Sequence, residues 1–566
     1  MTHPAPRLPL PRRASALAML VTMGACSPAA QPDTLPSVPD LVLLNGKVFT
    51  ADPERPWAEA VAVGGERILA VGTTAEIEDL AGPSTRRIAL EGRTVVPGFD
   101  DAHAHVGHNP IPGIDLKTDL SPTPDPRLQV ILDSLASAAS RTPPGTWLSS
   151  YVGELVLDDP HATRAALDSV APAHPVWLGG WSGHGTILNS AALRISGLLD
   201  APDPTGGWLA RDGSGAPMGR VDEYAIYGAQ RRMIIAGGDS LLANAMQSYS
   251  ERSLRLGITS VQDMAVIYDL NLARSVVERG GTMSVRHRTV QFPLDQDPGN
   301  AASWRVTGTD TILAPMWHVS GEKWILDGTP VERLALMRRP YADRPGWYGH
   351  SNFTLEQLRT ILRDALAHRN QPMLHAVGDS MIALVITAMR AEAPDSAWRS
   401  LRPRLEHADG LGRDQLADLK ALGIVVVQNP SHVALPEMMT TRWGAERLRG
   451  VNMLRTLIDS GVPLALGSDG PLEPGLNIMF ATLHPDVPSE ALTREQAVTA
   501  YTRGAAYAAF AERERGTLAP GMLADLAVLS QDIFTVAPDA LPATMSVLTM
   551  VGGRVAHDEL NGAMPR

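Results

Sequence analysis

The sequence predicts an α/β chain, a (β/α)8 barrel over 98–510 carrying a small β module built from 40–97 and 511–566. Three observations predict it. From Asp40 the run LVLLNGKVFTADPERPWAEAVAVGGERILAVG, and near the other end GTLAPGMLADLAVLSQDIF and MSVLTMVGGRVAHD, read as short β-rich stretches cut by Asn-Gly, Asp-Pro and Gly-Gly turn signals. Between these ends, β-rich runs alternate with helical stretches such as TLEQLRTILRDALAHRN, the pattern of a parallel sheet. Finally, several β-rich runs recur near the spacing of one βα unit, roughly 30 residues in an eightfold barrel.

Taken in order, the chain begins with Arg7, Arg12 and Arg13, an apolar run from Ala14 to Val21, and the small residues Gly24 and Ala25 before Cys26. This reads as a secretory leader over 1–26, since the apolar run is shorter than the ~20 residues a spanning helix needs. Met23-Gly24-Ala25-Cys26 resembles a bacterial lipoprotein box, which makes Cys26 the expected lipidation site and the protein exported, periplasmic or extracytoplasmic, with its only membrane contact through that anchor. An ordinary cleaved leader with an incidental cysteine is the alternative. Residues 27–39, rich in Pro, Ala and Ser, read as a tether.

The first barrel strand is VVPGFDDAHAH, ending at His105; the next candidates are GITSVQDM from Gly257, RHRTVQF from Arg286 and GEKWIL with Lys323. Only the first step is abnormally long, so an insertion at about 106–256 is expected on the loop face where barrel active sites sit, as a substrate cover. PMLHAVGD with His375, RPRLEHAD with His407, GIVVVQNPSH and VPLALGSDGP with Asp469 complete the series. Residues of interest therefore fall on the first, fourth, fifth, sixth and eighth strands.

Bulk properties restrict the function. With 566 residues, 44% apolar and 19% charged, the chain has the composition of a folded protein. A formal charge of -12 without basic clusters excludes nucleic acid as a partner and favours a small-molecule substrate. A single cysteine, Cys26, excludes intrachain disulfides and Cys-ligated zinc.

His103 and His105, two apart on a strand, leave the same face and can reach one metal ion. His375 and His407 each close an apolar strand, the end where barrel chemistry collects. A satisfied core histidine is the ordinary explanation for either alone. Lys323 is one of four lysines among 49 basic residues. Set in an apolar run, its amine can lose a proton as a guanidinium cannot, and a neutral amine can add carbon dioxide to form a metal-bridging carbamate; a lysine paired with Glu322 or Asp327 is the alternative. Asp469, between Gly467 and Gly470, can bind metal and shuttle a proton. His184 in the insertion is a candidate contact for the substrate carbonyl or its oxyanion, and Trp324 and His432, near strand ends, are candidate pocket residues.

PGFDDAHAH, GEKWILDG, LHAVGD, LEHAD and LGSDGP, in this order, resemble the metal motifs of the amidohydrolase superfamily. GHGTILNSAAL, GITSVQDM, YTRGAAYAAF and GTLAPGMLADLAVL are similar to the branch that includes N-substituted formamide deformylase. The likeness spans about Asp40 to Val555. It implies a distorted (β/α)8 barrel with a β-sandwich drawn from both chain ends. It further implies His103, His105 and Asp469 as ligands of one divalent ion, His375 and His407 as ligands of a second, and carboxylated Lys323 as the bridge. Zinc is the default ion, with manganese or iron as substitutes. Gln262 and Asn429 are positions expected to bear on substrate choice.

The implied reaction is attack of a metal-activated hydroxide on the carbonyl of a non-peptide amide, with Asp469 as base and then acid. The same site acting on a lactone, ester or organophosphate is one alternative, and a non-catalytic binding lipoprotein on the same barrel is another.

Overall fold

Eight parallel strands form the central sheet: β1 Phe99–Ala104, β2 Ile258–Ala265, β3 Arg286–Gln291, β4 Trp317–Ile325, β5 Pro372–His375, β6 Arg404–Glu406, β7 Val425–Gln428 and β8 Leu464–Leu466. They hydrogen-bond in chain order from β1 to β8. The structure is a computed structural model and describes residues 38–106, 114–115, 125–281, 283–294 and 311–560. The expected leader, Cys26 and most of the tether lie outside these residues. No helix among the described residues is long and apolar enough to cross a membrane.

The strands are covered on both faces and read accordingly: VVV opens β7 and LAL is the whole of β8, with every residue buried. Local signals set the helices between them. Between β4 and β5 lies the helix Leu355–His368. Its N-cap Thr354 and Gln357 exchange hydrogen bonds in a capping box, and Arg369 ends it in a left-handed conformation. Leu358, Ile361, Leu362 and Ala365 form its buried stripe, which orients it on the barrel. An additional short strand, Thr311–Ala314, lies antiparallel on β4.

β1 and β8 are not joined by a ladder. Their seam is closed instead by the chain beyond β8: Asp469 N–H donates to His103 O (2.8 Å) and Ser468 N–H to Asp101 Oδ1 (2.8 Å). A Cβ on Gly467 would fall 2.4 Å from His103 N, so only glycine permits this approach. The barrel is thus distorted at the place where two of the singled-out residues meet.

The two chain ends do share a sheet. Leu526–Leu529 pairs with Thr94–Pro97 and, on its other side, with Ser546–Val551. A four-stranded sheet from the N-terminal part alone faces it. Leu41, Leu43, Val61 and Ile68 from one sheet and Val48, Leu526, Val528 and Leu548 from the other form one core, the inner layer of a sandwich.

The insertion is a folded layer in its own right. It holds its own six-stranded sheet, in the order Gly207–Arg211, Pro217–Glu223, Gly185–Leu188, Val176–Gly180, Leu148–Val152, Ile114–Asp115. A separate core beneath it includes Ile131, Leu135, Leu148, Leu167 and Leu178.

Candidate metal centre

At the C-terminal ends of the strands, side chains from β1, β4 and β5 and from the segments after β1, β6 and β7 gather around Asp469, which follows β8. Its Oδ1 is 3.1 Å from His105 Nε2 and 3.4 Å from His103 Nε2. Its Oδ2 is 3.5 Å from His432 Nε2 and 3.7 Å from His407 Nδ1. Lys323 Nζ lies 3.5 Å from His103 Nε2. The ring of His375 packs 4.5 Å from that of His407 and 4.7 Å from that of His184.

The imidazoles are held from behind. His103 Nδ1 donates to Glu406 Oε2 (2.6 Å), His105 Nδ1 to the Met264 carbonyl (3.1 Å), and His407 Nδ1 to Asn429 Oδ1 (2.8 Å). His432 Nδ1 donates to Asp409 Oδ2 (3.1 Å), and His184 Nδ1 to Glu223 Oε1 (3.0 Å). For His103, His105 and His432 the acceptor claims the Nδ1 proton and leaves Nε2 facing Asp469, the arrangement that orients metal-ligating histidines. His375 Nε2 is buried with no hydrogen-bond partner among the described residues.

Electrostatics keep His103, His375 and His407 neutral, with lone pairs to donate. Burial, helped by the Lys323 charge, lowers His103 to about 4, and His375 and His407 lie well below the ordinary histidine value for the same leading reason. Burial opposes the charge of Asp469, yet His103, His105 and His432 hold its carboxyl well below the usual range. Burial lowers Lys323 to about 8. His432 is pushed up to about 10 because Asp409 and Asp469 outweigh its burial.

Two sets of three ligand atoms each lie within 4.8 Å of one another, His103–His105–Asp469 and His407–His432–Asp469, sharing the carboxylate. Nitrogen and oxygen ligands at the ~2.0–2.1 Å typical of zinc stand roughly 3.3 Å apart in a tetrahedron, which matches the separations around Asp469 Oδ1. Neutral imidazoles, a carboxylate and an unpartnered buried Nε2 fit a divalent cation. The backbone is held for this purpose too: His407, Ala408 and Asp469 have φ of +69°, +52° and +52°, strained values for residues other than glycine.

The structure therefore brings His103, His105, Lys323, His375, His407 and Asp469 together, with His184 and His432 beside them. His432 stands with the donor atoms of His407 and Asp469 rather than only lining a pocket. Trp324 requires a correction. It neighbours Lys323 on β4, so alternation turns it to the opposite face, where it is fully buried and packs edge-on against Phe353 (5.8 Å) in the core. Gln262 is also remote from the cluster: it accepts from Arg404 and donates to Asp100 Oδ1 (3.1 Å) and Ala505 O (2.9 Å) within the barrel. Asn429 acts through His407. Glu406, Asp409 and Glu223 were not anticipated. Glu406 had one signal, a carboxylate two residues from Arg404 on a buried strand.

Comparison with known proteins identifies the family. The model of the amidohydrolase family matches residues 86–557. The chain is 27% identical over 552 residues to Protein LONG AFTER FAR-RED 3 of Arabidopsis thaliana, covering 91% of each chain. It is 28% identical over 548 residues to the N-substituted formamide deformylase of Arthrobacter pascens, covering 92% of this chain and 98% of that one. Its fold matches that of an uncharacterized metal-dependent hydrolase from Pyrococcus furiosus, with a TM-score of 0.66, 23% identity, and coverage of 88% of this chain and 100% of that chain. The chain belongs to the amidohydrolase family.

Proposed function

We propose that the protein hydrolyses the C–N bond of a small non-peptide amide, with an N-substituted formamide as the leading candidate. The observation that carries this reading is the placement of one carboxylate, Asp469, between two groups of imidazoles whose backs are tied by acceptors. In this reading His103, His105 and Asp469 hold one cation, most simply zinc. His375 and His407, with His432 beside them, hold a second. The Lys323 amine, once neutral, could add carbon dioxide with release of a proton, and the resulting carbamate would offer two further oxygen ligands. A bound divalent cation supplies Lewis acidity and makes water nucleophilic near neutral pH.

The chain's own groups do the rest. Asp469 takes the proton of the attacking water and returns it to the leaving nitrogen, serving as base and then acid. His184, from the insertion, contacts the substrate at the barrel mouth, where an unprotonated Nε2 accepts from the amide N–H. The similarity to a formamide deformylase over nearly the whole chain supports the amide over other carbonyl substrates. A panel of N-substituted formamides, cyclic ureas, lactones and organophosphates, assayed on protein of measured metal content, tests the reading. Formamide turnover that is lost with chelator is expected; turnover of lactones or organophosphates alone, or formamide turnover that persists in metal-free protein, overturns it. Export with lipid attachment at Cys26 is a separate proposal, tested by labelling with a lipid precursor, which Cys26→Ala should abolish.

A further inference from the structure

From the geometry behind His184 we infer that Glu223 is the positioning residue that fixes this histidine's tautomer, presenting Nε2 to the substrate at the barrel mouth. The inference rests on the reaction proposed above. His184 and Glu223 sit side by side in the inserted sheet, where Gly185 pairs with Asp222 and Glu223 N–H donates to His184 O (3.3 Å). Both carboxylate oxygens lie within reach of His184 Nδ1, at 3.0 and 3.2 Å. Asn352, from the segment after β4, donates its amide to Glu223 Oε2 (3.0 Å) and to Ile325 O (3.0 Å), the last residue of β4. The chain of contacts thus runs from the barrel strand through Asn352 and Glu223 to His184, whose ring rests on His375.

Two features set Glu223 apart from a structural carboxylate. It is fully buried, and its φ of +57° is a conformation that L-residues avoid. It also occupies the N-cap of the helix Tyr224–Gly237 without making a side-chain cap, although a carboxylate at that position readily accepts from the first turn. The side chain is given over to His184 instead. With a carboxylate on Nδ1–H, the ring's hydrogen is committed to that side, and Nε2 is left as the nitrogen available at the far edge.

The test uses zinc-loaded full-length protein with two readouts. Nitrogen-15 NMR of histidine-labelled protein, with the His184 signal assigned by its loss in His184→Ala, should find hydrogen on Nδ1 in the wild type and its displacement in Glu223→Ala. Kinetically, on an N-substituted formamide, Glu223→Ala should lower kcat by about 10- to 100-fold with little change in KM, as other groups supporting a site's histidines do. Glu223→Gln, which keeps the shape and one acceptor, should recover part of the loss, and it stands in should the alanine variant fold poorly. Adding either substitution to His184→Ala should cost nothing further, whereas a merely structural role gives multiplying losses. A protonated Nε2 in the wild type, an unchanged tautomer in Glu223→Ala, or multiplying losses overturns the inference. Wild type without formamide turnover overturns the proposed reaction instead, and the NMR result then decides the role of Glu223.

Discussion

Below the rim of the barrel, Arg404 binds both oxygens of Glu406 (2.7 and 2.8 Å), Arg515 binds Asp100 (3.0 Å), and Gln262 links the two pairs, all of them buried. At the rim, where the strands end, His103, His375 and His407 are kept neutral by burial, and His103 and His407 turn nitrogens toward Asp469. The floor satisfies its charges internally, as buried ion pairs must. The rim gathers lone pairs that have too few hydrogens to share, a concentration that a cation resolves. Glu406 belongs to both regions. Burial works against its charge, but Arg404 and then His103 hold it well below the carboxylate range. A fold can thus use one strand residue to pass the rigidity of a paired network to a site left deliberately unpaired.

The comparison can be broken from either side. The largest effect is expected at the rim: Asp469→Asn keeps the size of the side chain but cannot carry the proton, so kcat should fall about 10²- to 10⁴-fold while much of the metal stays bound. Steady-state kinetics beside metal analysis check this. At the shared residue, Glu406→Gln leaves the Arg404 charge buried without its partner. Denaturant midpoints should register a loss of roughly 3–5 kcal/mol, and activity should drop about 10- to 100-fold through the loosened His103.

A subtler distinction concerns Lys323, the rim's cation. Because burial lowers its amine to about 8, the neutral form that adds carbon dioxide grows as pH rises through that value. In metal-free protein supplied with carbon-13 bicarbonate, the carbamate signal should therefore increase with alkalinity around pH 8. A signal of constant intensity would separate Lys323 from the bridging role. The smallest effect is expected at Trp324→Phe: with its side chain in the outer core, thermal stability should fall while kcat and KM hold. A changed KM would return Trp324 to the pocket.

Much of the rim was legible because strand geometry writes it into the chain. The two-residue spacing of His103 and His105 fixes a common face, and His375, His407 and Asp469 each follow an apolar run that can only be an interior strand. The joint sheet of the two chain ends was likewise readable from the matching turn signals. What escaped were relations made by folding alone. Nothing near Glu406 indicates that it meets His103, 303 residues away, nor that the insertion folds into a sheet that presents His184 beside Glu223. Trp324 was misplaced for a different reason: nearness to a strand end was given more weight than alternation, which already opposes it to Lys323.

The most direct test of the central claim is a crystal structure of the purified protein with anomalous scattering recorded at metal absorption edges, paired with its metal content. The account predicts stoichiometric metal, with an anomalous peak within bonding distance of His103 Nε2, His105 Nε2 and Asp469. Protein that carries no stoichiometric metal, or a peak remote from Asp469, would contradict it.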